Sequence, residues 1–311
     1  MARLDVTETF NGILFPGHLH TQESLQFALT FLFQDRDIVI ASYPKSGTTW
    51  MQQIVTLICS RGDPHVSHTV PNWTRAPWLE QYYSEALMES FIKPRVITTH
   101  LPYQLLGSAV QGSKAKIIYV SRNPKDVVVS FYHFHKMAKF LPDPESFSNF
   151  LYRFLEGSVH YGSWFDHVLG WTNQDADLNL LHISYEEMLL DPKGTIKKVS
   201  SFLQRPLLED EVNSCVKHST FSSMKHNQMI NYTLVSQEIM DQSKGPFMRK
   251  GEIGDWKNMF TEELNQYFQS VFISKMQDCS LEFKTLKGET FQPLFFLPIS
   301  FVPFLHLLTL F

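Results

Sequence analysis

Apolar residues along this chain follow two rhythms, and the alternation between them outlines the fold. Ile38-Val39-Ile40-Ala41, Arg95-Val96-Ile97-Thr98-Thr99, Lys116-Ile117-Ile118-Tyr119-Val120-Ser121 and Leu178-Asn179-Leu180-Leu181-His182-Ile183-Ser184 are short apolar runs that end in polar residues. Such runs suit strands buried on both faces. Between them the apolar residues recur at helical spacing. Trp50, Met51, Ile54, Val55, Leu57 and Ile58 share one face, and a second helical run opens at Val127. Ile196, Val199, Phe202 and Leu203 form a stripe behind Asp191-Pro192, an N-cap followed by proline at the first helical position. Strands alternating with helices predict an α/β fold with a central parallel sheet flanked by helices on both faces. Phe27-Ala28-Leu29-Thr30-Phe31-Leu32-Phe33 reads as a buried helix face, too short to span a bilayer.

The end of the chain departs from this pattern. From Phe291 to Phe311 there is no charged residue, while Pro293, Pro298 and Pro303 would each disturb a spanning helix. Three readings stay open: a dispensable extension, an apolar segment docked on the domain, or, least favoured, a membrane anchor. The expected organisation is one domain over 1–285 with an atypical apolar extension over 286–311, because no linker, low-complexity block or repeat divides the first part. With 311 residues, 43% of them hydrophobic, the chain can bury a core of that size. A formal charge of −4 argues against nucleic acid held through a general basic field, so an anion must be gripped locally. Cys59, Cys215 and Cys279 are odd in number and lack C-x-x-C spacing, which fits a reducing compartment and no structural zinc. The first residues carry early charges and no apolar h-region, so a cytoplasmic location is expected.

The chemistry gathers where strands should end. Tyr43-Pro44-Lys45-Ser46-Gly47-Thr48-Thr49-Trp50 joins the first apolar run to a helix, an arrangement that aims backbone N–H groups and a helix dipole at one small volume. The leading glycine and the Gly-Lys-Ser/Thr order of a Walker A loop are missing, which weighs against a nucleotide kinase that uses ATP here. Gly47 permits close approach of a phosphate, Lys45 adds a mobile charge, and Ser46, Thr48 and Thr49 add hydroxyls. The plainer alternative is an ordinary turn with threonine as N-cap. Arg122 and Ser130 follow the third strand, and Arg249-Lys250-Gly251-Glu252-Ile253-Gly254-Asp255-Trp256-Lys257-Asn258 lies far downstream. Arg, Lys and Gly in a row combine a bidentate fork, a point charge and an open backbone, a second phosphate cradle. Two cradles imply a ligand with two separated phosphate groups.

Four motifs in order, Tyr-Pro-Lys-Ser-Gly-Thr-Thr-Trp at 43–50, Arg-Asn-Pro-Lys-Asp-Val at 122–127, Gly-Ser-Trp-Phe-Asp-His at 162–167 and Arg-Lys-Gly-x-x-Gly-Asp-Trp-Lys-Asn at 249–258, resemble the cytosolic sulfotransferases. The likeness runs from about Gly12 to Phe283. It implies a P-loop-like sulfotransferase architecture and transfer of a sulfuryl group from 3′-phosphoadenosine 5′-phosphosulfate (PAPS), with no metal. By the same likeness Lys45, Ser46, Gly47, Thr48, Thr49 and Trp50 form the 5′-phosphosulfate site, with Lys45 on the leaving phosphate oxygen and Trp50 stacking on adenine. Arg122, Ser130, Arg249, Lys250 and Gly251 form the 3′-phosphate site. Tyr185, Ser219, Phe221 and Met224 match nucleotide contacts, with Ser219 in place of a threonine. His100, Lys45 and Ser130 make the catalytic set, and His100 is the general base that takes the acceptor proton; an imidazole suits that task because an alcohol is a weak nucleophile at neutral pH. His133 and His135, near the expected helix start, carry no role.

Phenol-directed members carry a lysine two residues before the histidine, where this chain has Thr98, and Val70 to Trp78 resembles the hydroxysteroid and alcohol branch. The expected acceptor is therefore a small apolar hydroxyl compound such as a steroid, with phenol or amine transfer, or a nucleotide binder made inactive by its extension, as alternatives. Pro16, Pro44, Trp73, Trp78, Phe140 and Tyr232 are implied as the acceptor wall, against the alternative of plain core packing. The family's dimer motif is altered at Glu262 and Gln266, so homodimerisation stays open.

Overall fold

The computed structural model describes residues 4–89, 94–174 and 178–277, together with the backbone of 283–284 and 290–291. A hairpin opens the chain, β1 (Thr7–Phe10) pairing antiparallel with β2 (Ile13–Pro16). Its turn is Asn11-Gly12, both at positive φ (47° and 77°), the geometry that matches the twist of a two-residue hairpin loop. The main sheet holds β3 (Ile38–Ser42), β4 (Val96–Thr99), β5 (Lys116–Ser121) and β6 (Leu180–Ser184) in the order β4-β3-β5-β6, every pair parallel. The expected parallel α/β architecture is therefore present, with Arg95 and Leu178-Asn179 left just outside their strands.

Both faces of this sheet are covered, and the pleat shows how. Val39, Ala41, Ile97, Ile117 and Tyr119 belong to one core cluster, while Ile38, Ile40, Val96, Ile118, Val120 and Ile183 belong to another. Register pairs Ile38 with Val96 and Lys116, and Val39 with Ile97 and Ile117, so neighbouring strands agree on which side each residue faces. The helix Thr48–Cys59, following β3, buries Met51, Ile54, Val55, Leu57 and Ile58 in the second cluster. The helix Pro124–Met137, following β5, buries Val127, Val128, Val129 and Phe131 in the first. Each fully buried side chain of this size contributes roughly 1.5–3 kcal/mol, so the two faces hold the sheet by its unbroken apolar runs rather than by exposed ion pairs. At the amino ends, Arg95 donates from Nε to Asp37 Oδ1 at 2.9 Å in a buried pair that clips β4 to the residue before β3.

Several local expectations are corrected. The helix Gln22–Leu29 ends before the Phe27–Phe33 run does; Thr30 closes it, donating its hydroxyl back to the Gln26 carbonyl, and Leu32 is 84% exposed. Phe31 still packs, between the rings of Phe27 and Phe33. The second helical run starts at Pro124 rather than Val127, because the Asn123 side chain accepts from the Lys125 amide and proline takes the first turn. His133 and His135 thus lie near that helix's end. Asp191 caps the helix Pro192–Phe202 as expected, through the Gly194 amide.

The pairing of Phe283–Lys284 with Thr290–Phe291 straddles the boundary expected at 285/286. Residues 292–311, and Cys279, lie outside the described residues. Among the described residues no helix is long and apolar enough to cross a membrane, and no group of three metal-ligating side chains occurs.

Candidate active site

In the strand order β4-β3-β5-β6 the chain leaves β3 to one side and then the other, and ligands of such sheets collect at the carboxyl ends beside that reversal. All four strands deliver a candidate residue there: the 43–50 loop after β3, His100 after β4, Arg122 after β5 and Tyr185 after β6. The loop turns sharply. Lys45 has φ 70° and Gly47 φ 105°, and Gly47, not a threonine, is the N-cap of the following helix. A Cβ on Gly47 would stand 2.8 Å from Tyr185 Cδ2, so only glycine fits both the backbone and the neighbour. Thr48 Oγ1 and Ser42 Oγ share a 2.7 Å hydrogen bond across the turn. Ser46 is buried with its hydroxyl unpartnered and stands outside the cavity lining.

Arg122 ties the 43–50 loop to the Arg249 segment. It donates from Nη1 to the Lys45 carbonyl at 3.2 Å and from Nη2 to the Glu252 carbonyl at 3.1 Å, while its guanidinium lies 4.1 Å from the Tyr185 ring centroid. Asp126 clamps the same downstream segment, accepting from the amides of Gly254 (2.7 Å) and Trp256 (3.0 Å). Within that segment Arg249 and Lys250 both pair with Asp255. Burial alone would raise the Asp255 carboxyl; hydrogen bonds from Lys250, Asn258 and Arg249 outweigh it and hold it at about 2. Gly251 has φ 72°, and a Cβ there would fall 2.3 Å from Phe221 Cδ2.

His100 is fixed from three directions. Its Nδ1 lies 2.7 Å from the Ser42 carbonyl. A carbonyl only accepts, so Nδ1 carries the proton and Nε2 of the neutral ring keeps its lone pair. Glu80 Oε1 accepts from the His100 backbone N–H at 2.7 Å, and His167 Nε2 donates to the His100 carbonyl at 3.2 Å. Burial lowers the imidazole to about 4, with the Ser42 bond opposing and the Lys45 charge assisting. Lys45 is brought to about 7 by burial, then by the charges of Arg122 and Arg249. The 162–167 motif now acquires a place: Tyr43 donates its hydroxyl to the Gly162 carbonyl at 2.9 Å, so one segment braces both the 43–50 loop and His100.

A family model described as the sulfotransferase domain matches residues 35–280. Human sulfotransferase 2B1 is 45% identical over 269 residues, covering 86% of this chain and 74% of that protein. Human sulfotransferase 2A1 is 41% identical over 274 residues, covering 88% and 96%. The crystal structure of mouse sulfotransferase SULT7A1 complexed with PAP superposes with a TM-score of 0.74 at 32% identity, covering 88% of this chain and 95% of that one. The chain belongs to the sulfotransferase family. It is a PAPS-dependent sulfotransferase.

In this sulfotransferase a cavity of about 380 Å³ joins the loop, His100 and the Arg249 segment. Its lining includes Lys45, Gly47, Thr48, Thr49, Trp50, Arg122, Ser130, Tyr185, Phe221, Met224, Arg249, Lys250 and Gly251. All six expected wall residues, Pro16, Pro44, Trp73, Trp78, Phe140 and Tyr232, line it as well. Ser219 does not: it caps the helix Glu209–His218 and spends its hydroxyl on the Cys215 carbonyl at 2.7 Å. Trp50 meets Tyr185 edge to face at 5.5 Å. Thr98 is buried, its hydroxyl donating to the Ala76 carbonyl and accepting from Gln52, both at 2.8 Å.

Sequence reasoning missed Glu80, Tyr83, Tyr161, Phe134 and Phe247. The last four line the cavity, and Glu80 holds His100 from behind. None sits in a motif with a readable local pattern. The ring packing of Trp73, Tyr232 and Phe247, at 5.2 and 4.2 Å, joins segments some 170 residues apart in sequence.

Proposed function

We propose that the enzyme sulfates the hydroxyl of a bulky apolar alcohol of the hydroxysteroid class, with His100 as general base and the two cradles holding opposite ends of PAPS. The observation that carries this reading is the tautomer of His100: with Nδ1 committed to Ser42, the lone pair of Nε2 is left to receive a proton from an acceptor hydroxyl in the cavity. The lowered imidazole is neutral at physiological pH, the form a base requires. The surroundings fit the donor. Gly47 and Gly251 sit at positive φ with Tyr185 and Phe221 packed directly against them, and Arg122 Nε and Trp50 Nε1 are buried without a protein partner.

Transfer of a sulfuryl group is a displacement at sulfur, assisted chiefly by positioning and charge. Lys45 and the opening amides of the helix Thr48–Cys59 stabilise charge on the departing phosphate oxygen, and Arg122, Ser130, Arg249, Lys250 and Gly251 anchor the 3′-phosphate. Trp73, Trp78, Phe140 and Tyr232 present aromatic area to a flat acceptor. The sulfotransferase 2B1 and 2A1 relatives and the absence of a lysine at position 98 support an alcohol over a phenol. The catalytic domain is read as 1–285, in a cytoplasmic protein, with 286–311 as an extension.

The test is a transfer assay with PAPS and matched hydroxysteroids, phenols and amines. Highest kcat/KM for hydroxysteroids is expected. Preference for phenols or amines would overturn the acceptor assignment while leaving sulfuryl transfer intact.

A further inference from the structure

Lys45 is the part of the phosphate loop that the loop itself does not secure. Its backbone is fixed at φ 70° and its carbonyl is held by Arg122, yet its ammonium rides on a flexible four-carbon stem. Among the described residues no ion pair holds that ammonium. It lies over two rings instead, with Nζ 4.2 Å from the Phe134 centroid and 4.2 Å from the Phe247 centroid. Phe134 comes from the helix Pro124–Met137 and Phe247 from the loop that leads into Arg249. The rings meet edge to face at 5.9 Å and 77°, and both line the cavity with Lys45.

We propose that Phe134 and Phe247 form an aromatic cage that keeps the Lys45 ammonium charged and aimed at the nucleotide end of the cavity. They are positioning residues, and their role rests on the reading of Lys45 as the group that neutralises the leaving phosphate. The surroundings explain why rings are used. Arg122 and Arg249 both face Lys45, and His100, His133 and Lys244 border the same space, with Glu252 the acid on the cavity lining. Burial and the two guanidinium charges draw the amine to about 7, so little further loss of support would discharge it in the neutral range. A carboxylate beside Lys45 would keep the charge, but would also pair with it and repel an anionic nucleotide. Ring faces attract the cation with no net charge of their own, and they do so more strongly where water is excluded. The cage therefore supplies what an acid could not in this position.

Calorimetric titration with 3′,5′-adenosine bisphosphate from pH 6 to pH 9 tests this on the full chain, using the wild type, Phe134→Leu, Phe247→Leu, Phe247→Tyr and Lys45→Met. Each leucine variant should bind about three- to tenfold more weakly at pH 8 and approach the wild type near pH 6, because only the rings' support of the proton is lost. Phe247→Tyr should keep the wild-type profile, and Lys45→Met should bind weakly and without this pH dependence. Leucine variants that keep the wild-type profile while Lys45→Met loses affinity would overturn the cage and leave the Lys45 role standing. Equal binding by Lys45→Met would remove the Lys45 role and the cage with it. A leucine variant equally weak at pH 6 and pH 8 has lost shape rather than charge, and that result also counts against the cage. If the leucine variants do not fold, Phe247→Trp serves instead: a stronger ring face should move the loss of affinity to higher pH, and an unmoved profile overturns the proposal.

Discussion

The two ends of the cavity are built by different means. Around the 43–50 loop the backbone is fixed by directional bonds, Arg122 reaching the Lys45 and Glu252 carbonyls and Asp126 taking the Gly254 and Trp256 amides, while the Lys45 ammonium lies over the Phe134 and Phe247 rings. At the other end Pro16, Trp73, Phe140 and Tyr232 line the cavity from separate segments, Trp73 packing on Tyr232 and Phe140 on His18 and Phe134 through their rings. Directional bonds tolerate no substitution of geometry, whereas ring packing tolerates a change of shape at modest cost. On the proposed reading, this makes the loop end specific for one molecule and the aromatic end tolerant of a class of them. His100 stands at the joint, bonded to Ser42 on one side and adjoining Trp78 and Tyr161 on the other.

The largest effect should come from that joint. His100→Ala should lower kcat by roughly 10²–10⁴-fold, the range for removing a general base, with bisphosphate affinity unchanged within about twofold. Loss of nucleotide binding in this variant would make His100 structural and blur the division between the ends. Next in size is Gly251→Ala. The added Cβ meets Phe221 at 2.3 Å on a backbone at φ 72°, and a cost of about 1–2 kcal/mol or more translates to roughly tenfold or greater loss of bisphosphate affinity. Acceptor selectivity, measured as the ratio of kcat/KM for two alcohols, should not move. If it moves, the ends are not separable.

The same division decides what could be read from the chain. Strand runs, the loop at 43–50 and the Arg249 run are local patterns, and the sheet brought them together because parallel strands align their carboxyl ends. The hairpin of β1 and β2 carried a readable Asn11-Gly12 signal that went unused. Leu32 in the Phe27–Phe33 run turned outward because a single threonine closed the helix early, a choice that periodicity alone does not encode. Glu80, Tyr161, Phe134 and Phe247 were invisible for another reason: their roles exist only through partners distant in sequence. Ser219, matched to a nucleotide contact, lies outside the cavity lining, with its hydroxyl donating to the Cys215 carbonyl.

A smaller and opposite signature is expected from the acceptor wall. Trp73 packs on Tyr232 at 5.2 Å, and Tyr232 accepts from Asn72 Nδ2 at 3.2 Å. Trp73→Ala should raise the KM of a bulky alcohol about three- to tenfold through lost aromatic contact, with little change for a small alcohol and none in bisphosphate affinity. Equal loss for large and small acceptors would mean that Trp73 is core packing rather than wall.

The smallest effect concerns Glu80, which supports His100 without touching the reactants. Burial raises its carboxyl to about 7 from an ordinary 4.5, and hydrogen bonds involving the His100 amide and the Thr99 hydroxyl restore only part of the difference. A carboxyl raised in this way keeps a proton that the unfolded chain has released, so folding loses stability as pH climbs from about 4.5 to about 7. Buried histidines act in the other direction. His20, His100 and His167 are lowered to about 3, 4 and 3, so the unfolded chain binds protons first as pH falls below 6.5, and stability drops on acidification. The trends overlap below 6.5; above it Glu186, also raised to about 7, adds to the loss, while Lys45 and Lys125, lowered to about 7 and about 8, oppose it. The wild-type curve is therefore a sum, and only the comparison with a Glu80 variant isolates this carboxyl. Glu80→Gln keeps an acceptor for the His100 amide and removes the titration. Its Tm should therefore exceed that of the wild type at pH 8, by roughly 2–4 °C for each kcal/mol gained, and the advantage should vanish near pH 5. An advantage of the same size at both pH values would show that packing, not a held proton, is what the substitution changed.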